Sequence, residues 1–244
     1  MFRARRAIIM AAGMGKRLQP VTLDVPKPLV SVGGVRMIDT VINALHKNGI
    51  NEIYVVVGYL GEQFVSLESE YGVRLIENPF YETCNNISSL YAVREHIPNS
   101  IILDGDQLIY DHKVLSPEFE RSGYNAVWTD AHTDEWLMTV KDGIVQSCSR
   151  NGGSHGWQLY SVSRWNEADG KKLGILLEKE FIQNKNTQIY WDDIPMFCYP
   201  GEFSLGIREM QAGDIVEIDD LKELAAADAG YSKFLGGYSN ENRE

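Results

Sequence analysis

The sequence is short of the residues that would place it in several common classes. Its three cysteines, Cys84, Cys148 and Cys198, lie far apart, make an odd number and form no Cys-x-x-Cys pair. Neither a disulfide framework nor a thiolate zinc site is expected from them, and a reducing compartment fits. No apolar run approaches the roughly 20 residues of a membrane-spanning helix. Arg3, Arg5 and Arg6 precede an apolar stretch that stops at Gly13, short of the core of a secretory signal. The chain is therefore expected to be soluble and cytoplasmic, with no membrane partner. Basic residues are also scarce: 23 Lys and Arg against 34 Asp and Glu give a net charge of −11. Nucleic-acid binding is excluded on that balance, because a phosphate backbone demands clustered cations. The five histidines, His46, His96, His112, His132 and His155, are scattered with no serine or carboxylate pattern around them, so no catalytic triad is legible. There is no internal repeat, low-complexity tract or linker.

What is present is the alternation of an α/β protein. Short apolar runs at Ala7 to Ala12, Ile53 to Val57, Val73 to Ile76 and Ile101 to Leu103 read as buried parallel strands. Between the first two, Met37, Ile38, Val41, Ile42 and Leu45 recur at helical spacing before the stop signal Asn48-Gly49. Further helices are expected over about 62 to 70 and 88 to 95. From Asn125 the pattern turns antiparallel: strands at Ala126 to Trp128 and Leu137 to Val140, a hairpin turn at Asp142-Gly143 into Ile144-Val145, and a strand at Gln158 to Val162. A helix over about 167 to 183, a strand at Ile215 to Ile218, a helix over Leu221 to Ala229 and a frayed polar tail from Ser239 complete the reading. The expectation is a Rossmann-like, open, mostly parallel but mixed sheet flanked by helices, with a smaller antiparallel lid-like insertion. One domain spans 1–244, its first half (about 1–124) binding a nucleotide and its second (about 125–244) binding an acceptor and forming the lid.

The first strand runs into Gly13-Met14-Gly15-Lys16-Arg17-Leu18. A glycine-rich turn leaving a buried strand presents backbone N–H groups to phosphate oxygens. Leu18 occupies the third glycine position of the dinucleotide fingerprint, and no Gly-x-x-x-x-Gly-Lys-Ser/Thr sequence occurs, so those phosphate-loop classes lose support. Lys16, Arg17 and, after Pro26, Lys27 gather three cations on one loop of an acidic chain. Glycines as plain turn residues and cations as a solvated surface are the competing account.

Carboxylates follow at two strand ends. Asp104-Gly105-Asp106 closes the Ile101 strand, where open α/β sheets bind ligands. Asp106 is the first candidate ligand for Mg²⁺, which favours oxygen donors and retains positions for triphosphate oxygens; Asp104 reads better as a turn cap on backbone N–H groups. Ile215-Val216-Glu217-Ile218-Asp219-Asp220 ends another strand, and Asp219 is the best second ligand. Glu217 shares its face, and Asp219 or Asp220 serves equally well as a helix N-cap.

The strand, then Ala-Ala-Gly-x-Gly-x-Arg-Leu, then Pro-Lys about ten residues on, resembles the signature of the sugar-nucleotide and choline-phosphate nucleotidyltransferase family. The resemblance implies that the glycine loop wraps a nucleoside triphosphate, that Arg17 and Lys27 contact its phosphates and act in catalysis, and that Asp106 and an acid such as Asp219 hold magnesium. Ala11, Ala12, Gly13, Met14, Gly15 and Lys16 would line the nucleotide, although the family usually has Ser or Thr where this chain has Lys16. Asn85 to Tyr91, Asp134-Glu135-Trp136 and Ile189 to Asp193 are similar to bacterial CTP:phosphocholine cytidylyltransferases, so the resemblance spans nearly the whole chain. Sugar-1-phosphate enzymes commonly carry Glu-Lys-Pro where this chain reads Ser149-Arg150-Asn151.

The partners so implied are CTP and a small zwitterionic phosphate or phosphonate. A quaternary ammonium donates no hydrogen bonds and is held by aromatic faces and negative charge. Trp136 and Tyr190 are the expected cage walls and Asp192 the charge partner, with Tyr190 and Asp192 sharing one face of a strand and Trp191 turned away. Asn86 and Ser88 are candidates for the base and ribose, and equally for helix caps. Phosphoethanolamine or 2-aminoethylphosphonate, kept in play by Asp134, Glu135, Asp192 and Asp193, is the nearest rival acceptor; a sugar 1-phosphate and a catalytically silent nucleotide-binding subunit are the others. Oligomeric state is not legible.

Overall fold

The computed structural model describes residues 1–237; the polar tail expected from Ser239 lies outside the described residues. Four parallel strands form the heart of the sheet: β1 (Arg6–Met10), β2 (Glu52–Val57), β3 (Arg74–Glu77) and β4 (Ser100–Asp104), in spatial order β3-β2-β1-β4. Their side chains alternate between two cores. Ala7, Ile9, Ile53, Val55 and Ile101 face helix α1 (Met37–Lys47), while Ile8, Met10, Tyr54, Val56 and Ile102 face helix α3 (Ile87–Ala92) and the later helix α4 (Glu167–Glu178). A strand buried on both faces needs apolar residues at every position, and the unbroken run Ala7 to Met10 meets that need. Helix α2 (Ser66–Tyr71) lies with α1 on the first face through Leu67. Strand order therefore reverses between β1 and β4, and ligands of open α/β sheets bind at such a switch point, outside the carboxyl ends of the strands.

Four further strands continue the same sheet or close upon it: β6 (Gly123–Thr129), β7 (Leu137–Lys141), β8 (Ile144–Ser149) and β9 (Gly156–Trp165). Strand β9 runs antiparallel to β4, Val162 opposite Leu103. With β10 (Gly206–Glu209), the pairings β6–β10, β10–β8, β8–β7, β7–β9 and β9–β6 form a ring of five strands sharing β9 with the main sheet. The ring departs from the smaller antiparallel unit expected from the sequence in one pairing, β6–β10, which is parallel. Asp142 (φ 52°) and Gly143 (φ 72°) make the β7–β8 turn with two left-handed residues, as a two-residue hairpin requires.

A two-stranded ribbon completes what positions the site. Strand β5 (Gln107–Ile109) pairs antiparallel with β11 (Ile215–Glu217), Gln107 opposite Glu217. That register carries the residues after Glu217 to the residues before Gln107, which brings Asp219 to Asp106. Helix α5 (Leu221–Ala227) follows, and its Leu221 and Leu224 pack with Leu18 and Ile218 in a third buried cluster, tying the glycine loop to this segment. Among the described residues no helix is long and apolar enough to cross a membrane.

Candidate active site

The loop after β1 is built around Gly15, in the left-handed region at φ 60°, where a Cβ would stand 3.0 Å from both Lys27 Cβ and Thr22 Cγ2. Glycine here lets the loop lie directly on the segment that carries Lys27, and Thr22 Oγ1 fastens it by donating to the Gly15 carbonyl at 2.8 Å. A Cβ at Gly13 would meet nothing within 4 Å: the space beside it is open to a ligand.

Four residues distant in sequence converge here. Lys27 Nζ lies 2.6 Å from Asp106 Oδ2 and 3.1 Å from Asp219 Oδ1, and Arg17 Nη2 donates to the same Asp219 oxygen at 2.9 Å. Lys27 is 8% exposed. Burial disfavours its ammonium, but attraction and hydrogen bonding from Asp106, then Asp219, outweigh that and hold its pKa above the ordinary lysine value. Local bonding sets Asp219 apart from its neighbours. Asp220 caps α5, accepting from the N–H groups of Lys222 and Glu223, and Glu217 accepts from Gln107 Nε2 at 2.7 Å. Asp219 alone of the three turns to the cations of the loop.

Two cavities open from this cluster. One, of about 480 Å³, is lined by Ala11, Gly13, Gly15, Lys16, Lys27 and Asn85, among others. The second, of about 230 Å³, is lined by Asn86, Trp136 and Tyr190 and by the carboxylates Asp104, Glu135, Asp192 and Glu217. Arg17, Asp106, Tyr190 and Asp219 line both. The smaller cavity is acidic and edged by aromatics: Trp136 and Tyr190 meet edge to face at 6.0 Å. Burial pushes the Asp192 and Glu217 carboxyls up to about 7 and raises Asp104 well above its ordinary value, Asp106 and Glu217 adding to the effect on Asp104. The Oδ1 of Asp192 is buried with no hydrogen-bond partner among the described residues. Such a chamber gathers carboxyls that burial keeps partly protonated, and a cationic group would draw them into the charged form.

Several expectations need correction. Ala12 is buried in the core beneath the loop and its carbonyl accepts from Tyr59 N, so it does not line the cavity. Ser88 is fully buried, its hydroxyl donating to the Asn85 carbonyl and accepting from Asn78 Nδ2; it braces the start of α3 and lines neither cavity. Asn86 lines the smaller cavity, and its Oδ1 accepts from Trp191 N, whereas Asn85 lines the larger. Met14 lines a neighbouring cavity with Tyr81, Cys84 and Asn85. Tyr190 and Asp192 lie on a turn rather than a strand, yet both face the chamber while Trp191 is buried. Asp104 is no turn cap: it faces the acidic chamber. With Glu217 and Ser161 it was missed as a wall of that chamber, although Asp104 and Glu217 stood in the two acidic segments already singled out.

Residues 6–112 match the model of the nucleotidyl transferase family. The chain is 39% identical to a 2-aminoethylphosphonate cytidylyltransferase of Lancefieldella rimae, the match covering 94% of each chain. It is 34% identical to a choline-phosphate cytidylyltransferase of Streptococcus pneumoniae, over 97% of this chain and all of that one. The chain belongs to the nucleotidyltransferase family. A solved structure of the CTP:phosphocholine cytidylyltransferase from Streptococcus pneumoniae superposes with a TM-score of 0.87 at 33% identity, covering 93% of this chain and 99% of that one.

Proposed function

We propose that the protein transfers the cytidylyl group of CTP to phosphocholine or a close zwitterionic analogue such as 2-aminoethylphosphonate, releasing pyrophosphate. The observation that carries this reading is the junction of the two cavities at Arg17, Asp106, Tyr190 and Asp219. The larger cavity, with the glycine loop, Lys16, Arg17 and Lys27, suits a triphosphate. The smaller one, acidic and aromatic, suits an ammonium group two carbons from a phosphate or phosphonate.

Mg²⁺ is the proposed cofactor. Asp106 and Asp219 flank a single ammonium at 2.6 and 3.1 Å, so their oxygens already surround one cationic position. They are hard donors, and among the described residues no cluster of three or more metal-ligating side chains occurs; two carboxylates suit an ion that keeps water and phosphate oxygens as its other ligands. When bound, Mg²⁺ supplies charge neutralisation at the phosphates.

The remaining chemistry falls to the chain. An ionised phosphate oxygen of the acceptor attacks the α-phosphorus of CTP, the bond from that phosphorus to the oxygen bridging toward the β-phosphate breaks, and pyrophosphate leaves with the electron pair. Attack by an already ionised oxygen needs no general base, which agrees with the scattered histidines. Arg17 and Lys27 hold the phosphates in line and meet the charge developing on the leaving group. Trp136 and Tyr190 offer ring faces to the acceptor ammonium while Asp104, Glu135, Asp192 and Glu217 supply the opposite charge. Those four carboxylates also favour a primary ammonium, which donates hydrogen bonds to them; that is the case for 2-aminoethylphosphonate. A reducing cytoplasm is the proposed compartment, its thiols Cys84, Cys148 and Cys198 all being free.

The test is an acceptor panel crossed with the four nucleoside triphosphates, followed by pyrophosphate release. Turnover should be confined to CTP with phosphocholine or an aminoalkyl phosphonate or phosphate. Preference for a sugar 1-phosphate would overturn the acceptor assignment, and binding of CTP without turnover of any acceptor would favour the silent subunit.

A further inference from the structure

The aromatic edge of the acceptor chamber is assembled from two segments that share no regular element. Trp136 precedes β7, whereas Tyr190 sits on an irregular turn before the π-helical turn Ile194–Cys198. Trp136 is tied to β9, its carbonyl accepting from Leu159 N at 2.8 Å, and Tyr190 to its own turn, its carbonyl accepting from Asp193 N at 3.1 Å. One ion pair joins them. Arg150, just past the end of β8, donates from Nε and Nη2 to Asp193 Oδ1 at 3.0 and 2.6 Å. The other oxygen, Asp193 Oδ2, accepts from the backbone N–H of Tyr190 at 2.9 Å. The guanidinium lies 3.9 Å from the ring centre of Phe197 and 5.8 Å from that of Trp136, and Phe197 meets Trp136 edge to face at 5.3 Å.

We infer that Arg150 and Asp193 form a latch that positions Trp136 and Tyr190 and so sets the affinity for the acceptor without touching either substrate. The inference rests on the assignment of the small chamber to the acceptor. Asp193 is buried, its side chain 4% exposed, and Arg150 is its sole cation within ion-pair distance among the described residues. Removing the guanidinium therefore leaves a buried carboxylate unpaired and frees the Trp136–Phe197 face at once. Both oxygens of Asp193 are in use, one on each segment, so the pair couples the hairpin to the Tyr190 turn rather than stabilising either alone. A lysine cannot replace the arginine: its ammonium does not lie flat on Phe197 while donating twice to one carboxylate.

Arg150→Met, Arg150→Lys and Asp193→Asn, with the double variant Arg150→Met/Asp193→Asn, test this through the separate KM values for acceptor and CTP in the full-length enzyme, with thermal unfolding as a control. Folded single variants should raise the acceptor KM about tenfold with the CTP KM within twofold of the parent, the Lys variant should recover little, and the double variant should be no worse than the worse single one, as for side chains acting as one unit. Because Asp193→Asn keeps the shape and the bond to Tyr190 N, it guards against a result due to misfolding. An unchanged acceptor KM in folded variants, parallel rises in both KM values, or full rescue by lysine would overturn the latch. Absence of turnover by the parent enzyme with any ammonium-bearing acceptor would instead overturn the functional reading.

Discussion

Lys27 stands between the two carboxylates assigned to the metal, and its removal separates two roles that wild-type kinetics leaves entangled. In Lys27→Met the methylene stem is retained and the ammonium that lies 2.6 Å from Asp106 and 3.1 Å from Asp219 is lost. Each such charge-assisted hydrogen bond contributes about 1.5–3 kcal/mol. The carboxylates themselves are 27% and 34% exposed and Asp219 keeps Arg17, so water and the guanidinium offset much of that. The expected loss of stability is about 1–3 kcal/mol, below the cost of stripping a partner from a fully buried pair. Activity should suffer far more. A preorganised cation facing the charge that develops on the phosphates is worth about 10²–10³ in kcat. Binding of a divalent cation in the absence of nucleotide should move the other way, becoming several-fold tighter, because Lys27 no longer competes for Asp106 and Asp219. Pyrophosphate release at saturating CTP and acceptor, thermal unfolding, and Mn²⁺ titration of the apo-protein measure the three quantities. Turnover within threefold of the parent in a folded Lys27→Met variant would remove Lys27 from the phosphate-binding role proposed for it.

Further outcomes follow from single residues. Burial pushes Asp192 up to about 7, so the folded chain keeps a proton there that the unfolded chain loses between the ordinary carboxylate range and pH 7; apo-protein stability should fall as pH rises through that window, and Asp192→Asn should flatten the fall. The same ionisation turns on negative charge in the chamber, so the acceptor KM should fall as pH rises through 7 and the variant should show a higher, flatter KM at pH 8. Gly15→Ala puts a Cβ 3.0 Å from Lys27 and Thr22 in a left-handed conformation; it should cost about 1–3 kcal/mol in thermal unfolding and displace Lys27, lowering kcat/KM for CTP at least tenfold. Asp220→Ala removes the cap of α5 and should cost about 1 kcal/mol with modest kinetic change, whereas Asp219→Asn should abolish most turnover with little change in unfolding. Indistinguishable behaviour of these two neighbours would break the assignment of Asp219.

The parallel core was legible in the sequence because a strand buried on both faces has to be apolar throughout, and Ala7 to Met10, Ile53 to Val57 and Ile101 to Leu103 are. The resemblance of the glycine loop and Pro26-Lys27 to the family signature marks Arg17, Lys27 and Asp106 as members of one site, and their places just beyond strands or on the loop between them agree with it. The convergence of Asp219 on them was not derivable. It depends on pairing two three-residue strands, Gln107–Ile109 with Ile215–Glu217, and so short a pair carries almost no periodic signal. The acceptor chamber was half legible. Trp136, Tyr190 and Asp192 have the residue types a cationic ligand calls for, but their orientation comes from a turn and from the ion pair of Arg150 with Asp193, not from strand alternation. Asp104 was misread as a cap because nothing in Asp104-Gly105-Asp106 says that β9 passes beside β4 and encloses the first carboxylate while the second stays with Lys27. Ser88 and Asn86 show the limit of composition: both can cap or bind, and only packing decides between them.

In the proposed reaction one phosphoanhydride bond forms at the junction of the two cavities while another breaks. Phosphorus NMR of the purified enzyme with CTP, phosphocholine and Mg²⁺ follows both bonds at once. The expected spectrum loses the three CTP resonances and the phosphomonoester signal, with equimolar appearance of pyrophosphate and a pair of coupled diphosphate resonances belonging to the cytidylylated acceptor. CTP consumed to free CMP or CDP with the phosphocholine signal intact, or no change with phosphocholine and with 2-aminoethylphosphonate alike, would contradict it.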